Sequence, residues 1–324
     1  MREELISGIY SFLSSQGFIV KTFLDSNSCF DLIAKKGNQA FIVKVYSNID
    51  SVREEQAKEL LKLSSLFNAL PVIVGKKSKA FDLRNEILYE RFGVSVMTFN
   101  SFQETVKGHY PKIKFFKGKE TVKLDYEKLR EKRISLGLSS SELAERIQLN
   151  PETLYRYEKG FNASIDSAKK LENALNTSLI KEMDLNAECE KEENENKNNP
   201  LYDKFKRIGM ELDLFSHAPI KAAEMESPIL IQEGERKKDL IKKAIDLKKA
   251  GEVIESDSMI LTREFPKKSI YSIPVIEEEE LDSLRKKKDL IELIRERKKK
   301  RRGKIEKIRK KQGKNKNREK NELY

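Results

Sequence analysis

The densest set of chemically useful residues lies between Leu129 and Gly160, in LREKRISLGLSSSELAERIQLNPETLYRYEKG. Ser139 and Glu142 stand three apart ahead of an apolar run. This is the capping-box pattern, in which each residue satisfies a free backbone N–H of a starting helix. Leu143, Ala144 and Ile147 then share one face, and Ala144 is small where a second helix must cross closely. Gln148-Leu149-Asn150 makes a short turn, with Leu149 as its apolar plug. Asn150 is an N-cap and Pro151 suits the first helical position. The helix Pro151–Lys159 buries Leu154 and Tyr157, turns Glu152, Tyr155 and Arg156 outward, and ends at Gly160. Two short helices with a small-residue crossing and a tight turn form the helix-turn-helix, whose second helix presents its N-terminal half to the major groove of DNA.

The run LRxxR, then GLSxxELA, then a turn and TLYRYEKG resembles the lambda-repressor/Cro-like (XRE) family. The resemblance implies an all-α domain of five helices, with Tyr126–Leu136 before the motif and Ile165–Leu175 and Leu179–Met183 after it. Matched position by position, it implies that Pro151, Glu152 and Arg156 read bases. Arg156 can donate bidentately to guanine and Glu152 can accept from cytosine. Ser140, at the start of the first motif helix, is implied at phosphate, with Asn150 and Tyr155 as phosphate or flanking contacts and Ser139 and Lys159 as further candidate DNA-binding residues. Arg133 and Glu158 match a pair that ties the first helix to the recognition helix. The family's turn glycine is replaced by Gln148, which carries strain if its φ is positive.

A second constellation lies near the N-terminus, in FDLIAKKGNQAFIVKV. Asp31 and Lys44, on neighbouring strands between helices, resemble the D…ExK pattern of the restriction-endonuclease-like Holliday-junction resolvases. There an Asp and a Glu hold a divalent metal and a Lys positions the attacking water. Here the Glu position is Ile42, and an alkyl group cannot ligate a hard cation. Glu3 or Glu4 of the first helix would be the alternative oxygen donors. The expectation is an inactive scaffold with Asp31 and Lys44 as a structural ion pair, and with no metal and no cofactor.

These residues need elements to hold them. Leu5, Ile9, Phe12 and Leu13 mark a first helix. Phe18–Phe23, Phe30–Lys35 and Ala40–Tyr46 read as strands, the last two joined at Gly37-Asn38. A helix is expected over Val52–Phe67, a strand at Pro71–Val74, a helix near Phe81–Arg91 and a strand at Val94–Met97. This alternation indicates an α/β layer. The basic strand KIKFFKGK, with Lys112, Lys114, Lys117 and Lys119 around Phe115 and Phe116, suits either a DNA-backbone ribbon or a plain linking strand. After the motif domain, NAECEKEENENKNNP has nothing to bury and is expected to be disordered. Pro228–Gln232, Ser258–Thr262 and Ile273–Ile276 read as strands around a helix at Glu235–Lys249, with one or two helices in Glu277–Glu296.

Composition bounds the rest. Of 324 residues, 65 are Lys or Arg and 53 Asp or Glu, a net of +12. The stretch Arg295–Tyr324 alone holds 16 basic and 4 acidic residues, so a neutral body carries a polycationic tail. Cys29 and Cys189 are too few for a disulfide framework, and two histidines (His109 and His217) argue against a His/Cys zinc site. No apolar run reaches the ~18–20 residues of a membrane span.

The whole order of pieces resembles the archaeal HTH-type transcriptional regulatory proteins, best at KLREKR…YEKG, ASIDSAKKLENAL and ILIQEGERKKDLIKKAIDLKKAGEVI. The expected architecture is a multidomain α+β chain. It has a resolvase-like α/β domain over 1–108, the basic strand and helix-turn-helix domain over 109–185, and a disordered acidic linker over 186–200. A small α/β domain over 201–297 and a disordered basic tail over 298–324 complete it. The expected function is sequence-specific binding of double-stranded DNA as a cytoplasmic, nucleoid-associated homodimer, with the transcription machinery as a further partner and no membrane association. The rival readings are a metal-dependent structure-selective nuclease and a nucleic-acid-associated adaptor.

Overall fold

The computed structural model describes residues 2–23, 28–185, 199–224 and 229–298. The chain opens with α1 (Arg2–Ser15), β1 (Ile19–Thr22), β2 (Leu32–Lys36), β3 (Gln39–Asn48), α2 (Glu54–Phe67), β4 (Leu70–Lys77), β5 (Ile87–Arg91), β6 (Val94–Met97) and α3 (Phe99–Val106). It continues with β7 (Ile113–Phe116), β8 (Lys119–Leu124), α4 (Tyr126–Ser135), α5 (Ser140–Arg146), α6 (Pro151–Glu158), β9 (Ala163–Ser164), α7 (Ile165–Leu175) and β10 (Ile180–Lys181). Then follow α8 (Pro200–Lys206), β11 (Leu212–Leu214), β12 (Ala222–Glu224), β13 (Ile229–Glu233), α9 (Lys237–Ile254), β14 (Asp257–Thr262), β15 (Ser269–Ile270), β16 (Ile273–Glu277) and α10 (Glu278–Ser283). A last helix covers 287–298. The acidic linker residues 186–198 and the tail residues 299–324 lie outside the described residues, while Asn199 caps α8 and Pro200 opens it.

The chain divides into two compact units. One takes Met1–Phe18, Phe30–Leu32 and Gln39–Cys189, and the other takes Ile19–Cys29, Ile33–Asn38 and Glu190–Tyr324.

In the first unit the strands run in the order β3-β4-β6-β5-β7-β8-β10. β3, β4 and β6 are parallel, with Lys44 opposite Ile73 and Ile73 opposite Val96. Parallel strands covered on both faces need continuous apolar runs, and Ile42, Val43, Val45, Val72, Ile73 and Val74 supply them, all buried. The helix expected near Phe81–Arg91 does not form. Its apolar part, Ile87-Leu88-Tyr89, is β5, buried throughout between β6 and β7. A short apolar run fits a core strand as well as a helix. Here Phe92 (φ 49°) and Gly93 (φ 78°) turn the chain tightly into the β5–β6 hairpin.

KIKFFKGK is the first arm of a hairpin. Lys117 (φ 49°) and Gly118 (φ 79°) make its turn, and β8, which the sequence reading missed, is its second arm. β7 runs parallel to β5, while β8 pairs with β9 and β10. One hairpin therefore belongs both to the nuclease-like sheet and to the helical region. Phe115 packs edge-on against Phe81 (5.3 Å) and tilted against Tyr89 (5.6 Å) on one side, and Val122 and Leu124 enter the helical core on the other.

The helical region has four helices, α4 to α7. The expected fifth helix at Leu179–Met183 is instead extended. Asn176 ends α7 in the left-handed region (φ 47°), and Glu172 Oε1 then accepts the N–H groups of Leu179 (2.7 Å) and Ile180 (3.0 Å). Those bonds hold the chain straight so that β10 pairs with β8. The region is thus α+β rather than all-α.

In the second unit the sheet order is β11-β12-β13-β14-β16-β15, with β13, β14 and β16 parallel and α9 as the crossover. Phe205, Met210, Ile231, Met259, Ile276, Leu290 and Ile294 fill its core. β1 belongs to this unit, where Lys249 of α9 donates to Thr22 O (3.0 Å) and Glu252 pairs with Lys21 (2.8 Å).

Candidate nucleic-acid interface

The two motif helices start as the sequence dictates. Ser139 Oγ accepts the Glu142 N–H (3.1 Å), and Glu142 Oε2 accepts the Ser139 N–H (2.7 Å). Those bonds hold the exposed Glu142 carboxyl below its ordinary pKa. Asn150 Oδ1 accepts the Glu152 N–H (2.8 Å), with Pro151 in the first turn of α6. Leu143, Ala144 and Leu154 are fully buried where the helices cross. Gln148, in the turn, has φ 54°, so the family's glycine position keeps its left-handed backbone with a side chain that costs energy there. The Leu149 N–H closes the turn on Ala144 O (2.9 Å).

A fork fixes α6 to α4. Arg133 Nε donates to Glu158 Oε1 (2.6 Å) and Nη2 to Oε2 (3.1 Å), while Nη1 donates to Leu138 O (2.8 Å). Both side chains are only about a tenth exposed, at 11% and 10%. A bidentate guanidinium–carboxylate pair sets orientation as well as distance. Gly160 closes α6 at φ 89°. The expected tie between α4 and α6 is therefore present.

On the outer surface, Ser139, Asn150, Pro151, Glu152, Tyr155, Arg156 and Lys159 are exposed and Ser140 is half-buried. The Arg156 guanidinium lies 4.9 Å from the centre of the Phe161 ring, and the Lys159 ammonium 5.4 Å from that of Tyr155. Phe161 is itself 54% exposed, and its N–H bonds back to Arg156 O (3.1 Å). Phe161 is not among the residues that the motif pattern singles out. Its signal was an aromatic residue immediately after the glycine that ends the helix.

The Asp31 site has different chemistry. Asp31 is fully buried, and its Oδ1 accepts from Arg2 Nη2 (2.6 Å) and Lys44 Nζ (3.2 Å), its Oδ2 from the Val45 N–H (2.8 Å). Burial raises the Asp31 carboxyl pKa, against the opposing pull of Lys44, the Val45 N–H and Arg2. Glu3 and Glu4, the alternative oxygen donors, are exposed, and α1 sends Arg2 to Asp31 instead. Ile42 puts a buried alkyl group where the pattern has its second carboxylate, and Arg2, Lys44 and the Val45 N–H engage both Asp31 oxygens. The residues present do not fit a metal. Among the described residues no cluster of three or more His, Cys, Asp or Glu is placed to hold one. Nor, among them, is any helix long and apolar enough to cross a membrane.

Residues 2–111 match the family model described as a PD-(D/E)XK superfamily domain, and residues 129–181 match a helix-turn-helix model. The chain is 30% identical over 304 residues to a protein of Archaeoglobus fulgidus, covering 91% of this chain and 98% of the relative. It is 31% identical over 311 residues to one of Methanocaldococcus jannaschii (91% and 97% covered). It is also 31% identical over 309 residues to one of Pyrococcus furiosus (91% and 98%). Each of the three is named "Putative HTH-type transcriptional regulatory protein". No solved structure matches the chain.

Proposed function

The chain belongs to the archaeal HTH-type transcriptional regulatory protein family, and from that premise we propose that it regulates transcription by reading duplex DNA with the N-terminal half of α6. The observation that carries this is the exposed row Asn150, Glu152, Tyr155 and Arg156 on a helix held in place by the Arg133–Glu158 fork. Arg156 donates to a guanine edge and Glu152 accepts from a cytosine, with Pro151 packed beside them. Ser139, Ser140, Asn150, Tyr155 and Lys159 meet phosphate, and the basic tail adds charge without a base code. The nuclease-like domain acts as a scaffold that does not cut, because Ile42 and the saturated Asp31 leave no metal-binding pair of carboxylates. Two copies reading a pseudo-palindrome would set their recognition helices about 34 Å apart.

The test is to map bound sites across the genome and then titrate salt against the recovered site and a scrambled duplex. Arg156→Ala should cost about 1–3 kcal/mol on the site and much less on scrambled DNA. Truncation after Arg297 should weaken both duplexes and flatten the dependence on salt. Equal losses on both duplexes for Arg156→Ala would make Arg156 a backbone contact and overturn its base-reading role.

A further inference from the structure

Residues 200–283 repeat the topology of residues 2–106, the nuclease-like part of the chain. There, α1, β1 and β2 lead into β3, α2 carries the chain to parallel β4, and the sheet runs β3-β4-β6-β5 with β5 antiparallel to β6. In the second unit α8, β11 and β12 lead into β13, and α9 carries the chain to parallel β14. The sheet runs β13-β14-β16-β15 with β15 antiparallel to β16. The registers agree as well. Lys44 faces Ile73, which faces Val96, just ahead of Thr98, the cap of α3. Gln232 faces Ile260, which faces Val275, just ahead of Glu277, the cap of α10. The Asp31 N–H bonds Val43 O (2.8 Å), and the Lys221 N–H bonds Ile231 O (2.9 Å). Matching these ladders puts Lys221 at the position of Asp31, Leu230 at that of Ile42 and Gln232 at that of Lys44. The nuclease-like family match stops at residue 111, so it leaves this copy unassigned.

At that position the second copy has an open cavity of about 840 Å³, lined by Lys221, Gln232, Arg236 and Thr262 among others. Of the carboxylates around it, Asp239 pairs with Lys243 (2.6 Å), Glu235 with Arg263 (3.3 Å) and Glu278 with Lys204. Lys221 and Arg236 have no ion-pair partner among the described residues, and one further carboxylate, Glu233, lines the cavity. The Gln232 amide is spent on Pro219 O (2.8 Å). A carboxylate at the Lys221 position would bind an anion only through a metal. An ammonium there supplies the positive charge and the hydrogen-bond donors itself.

We infer that the second unit is another nuclease-type fold, and that its cavity holds a nucleic-acid phosphate on Lys221 and Arg236 without a metal and without cleavage. This rests on the DNA-binding reading above. The experiment uses the full chain in EDTA. Lysines are acetylated with an amine-reactive ester, with and without a 30-base-pair random duplex, and each site is quantified by mass spectrometry. Lys221 should become at least about threefold less reactive on adding duplex, alongside Lys159. Lys221→Met with Arg236→Ala should lower the slope of log affinity against log salt by about 0.9 for each phosphate that is no longer neutralised. Its backbone bond to Ile231 keeps the strand, and circular dichroism checks the fold. Protection of Lys159 but not Lys221 would overturn this inference while leaving the helix-turn-helix reading intact. Protection of neither would overturn both. Protection of Lys221 only when magnesium is added, or by inorganic phosphate and not by duplex, would also overturn it.

Discussion

The Arg156 guanidinium is stacked on the Phe161 ring, 4.9 Å from its centre, near the end of α6. A flexible arginine must otherwise lose rotamer freedom when it grips a base. A ring beneath the guanidinium restricts it ahead of the base contact proposed for it, and its π-face adds a cation–π attraction worth about 0.5–1 kcal/mol at an exposed site.

Phe161→Ala should therefore weaken binding to the preferred site by about 0.5–1 kcal/mol, and random duplex less. In an Arg156→Ala background the same change should do nothing further. A double-mutant cycle of dissociation constants reads this directly. Additive losses would mean that Phe161 contacts DNA on its own account.

Gln148 holds a left-handed backbone that glycine adopts freely. Gln148→Gly should raise the stability of the helix-turn-helix by roughly 1 kcal/mol, since a side chain in that region costs about 1–2 kcal/mol and glycine's added chain entropy takes part of the gain back. Urea denaturation followed by far-ultraviolet circular dichroism gives the number.

Asp31→Ala strands the buried Lys44 and should cost about 3–5 kcal/mol. Asp31→Leu with Lys44→Met removes both charges and should restore most of that loss. Neither protein nor wild type should cut duplex or branched DNA with magnesium or manganese. Metal-dependent cleavage by wild type that disappears in the double variant would show that the site is catalytic.

Glu280 provides a pH handle in the second unit. Burial pushes its carboxyl pKa up, but Arg297 (2.6 Å), the Glu277 N–H (3.0 Å) and Lys268 (2.9 Å) pull it down from 4.5 to about 2. The folded value lies below the unfolded one, so the stabilisation is complete above about pH 4.5 and is lost as pH falls towards 2. Glu280→Gln should lower the unfolding midpoint at pH 6 and reduce the midpoint's fall between pH 4.5 and pH 2. An unchanged acid limb would remove Glu280 from the account.

Much of the helix-turn-helix was legible because its signals are local. A cap, a small crossing residue and an ending glycine act within a few positions, so Ser139, Ala144, Asn150 and Gly160 declare themselves. Lys44 and Asp31 were likewise readable as a pair on adjacent strands. What escaped depends on distant partners. Ile87-Leu88-Tyr89 becomes a strand because β6 and β7 flank it, and Ile180 becomes one because β8 offers a free edge. Arg2 reaches Asp31 only once α1 has docked, and nothing in its immediate neighbours announces that. The correspondence of Lys221 with Asp31 is a matter of ladder register, invisible while the residues at both positions have diverged.

The shared β7–β8 hairpin bears on how the protein would measure DNA. A reading head on a slack tether could swing to meet half-sites at several separations. The helix-turn-helix region here grows out of the same hydrogen-bonded ladder as the nuclease-like sheet, through the pairs Ile87–Ile113 and Val122–Ala163. If two copies pair through that sheet, the gap between their heads becomes a fixed ruler. One inserted base pair would turn the second half-site by about a tenth of a revolution, out of reach of a head that cannot follow it.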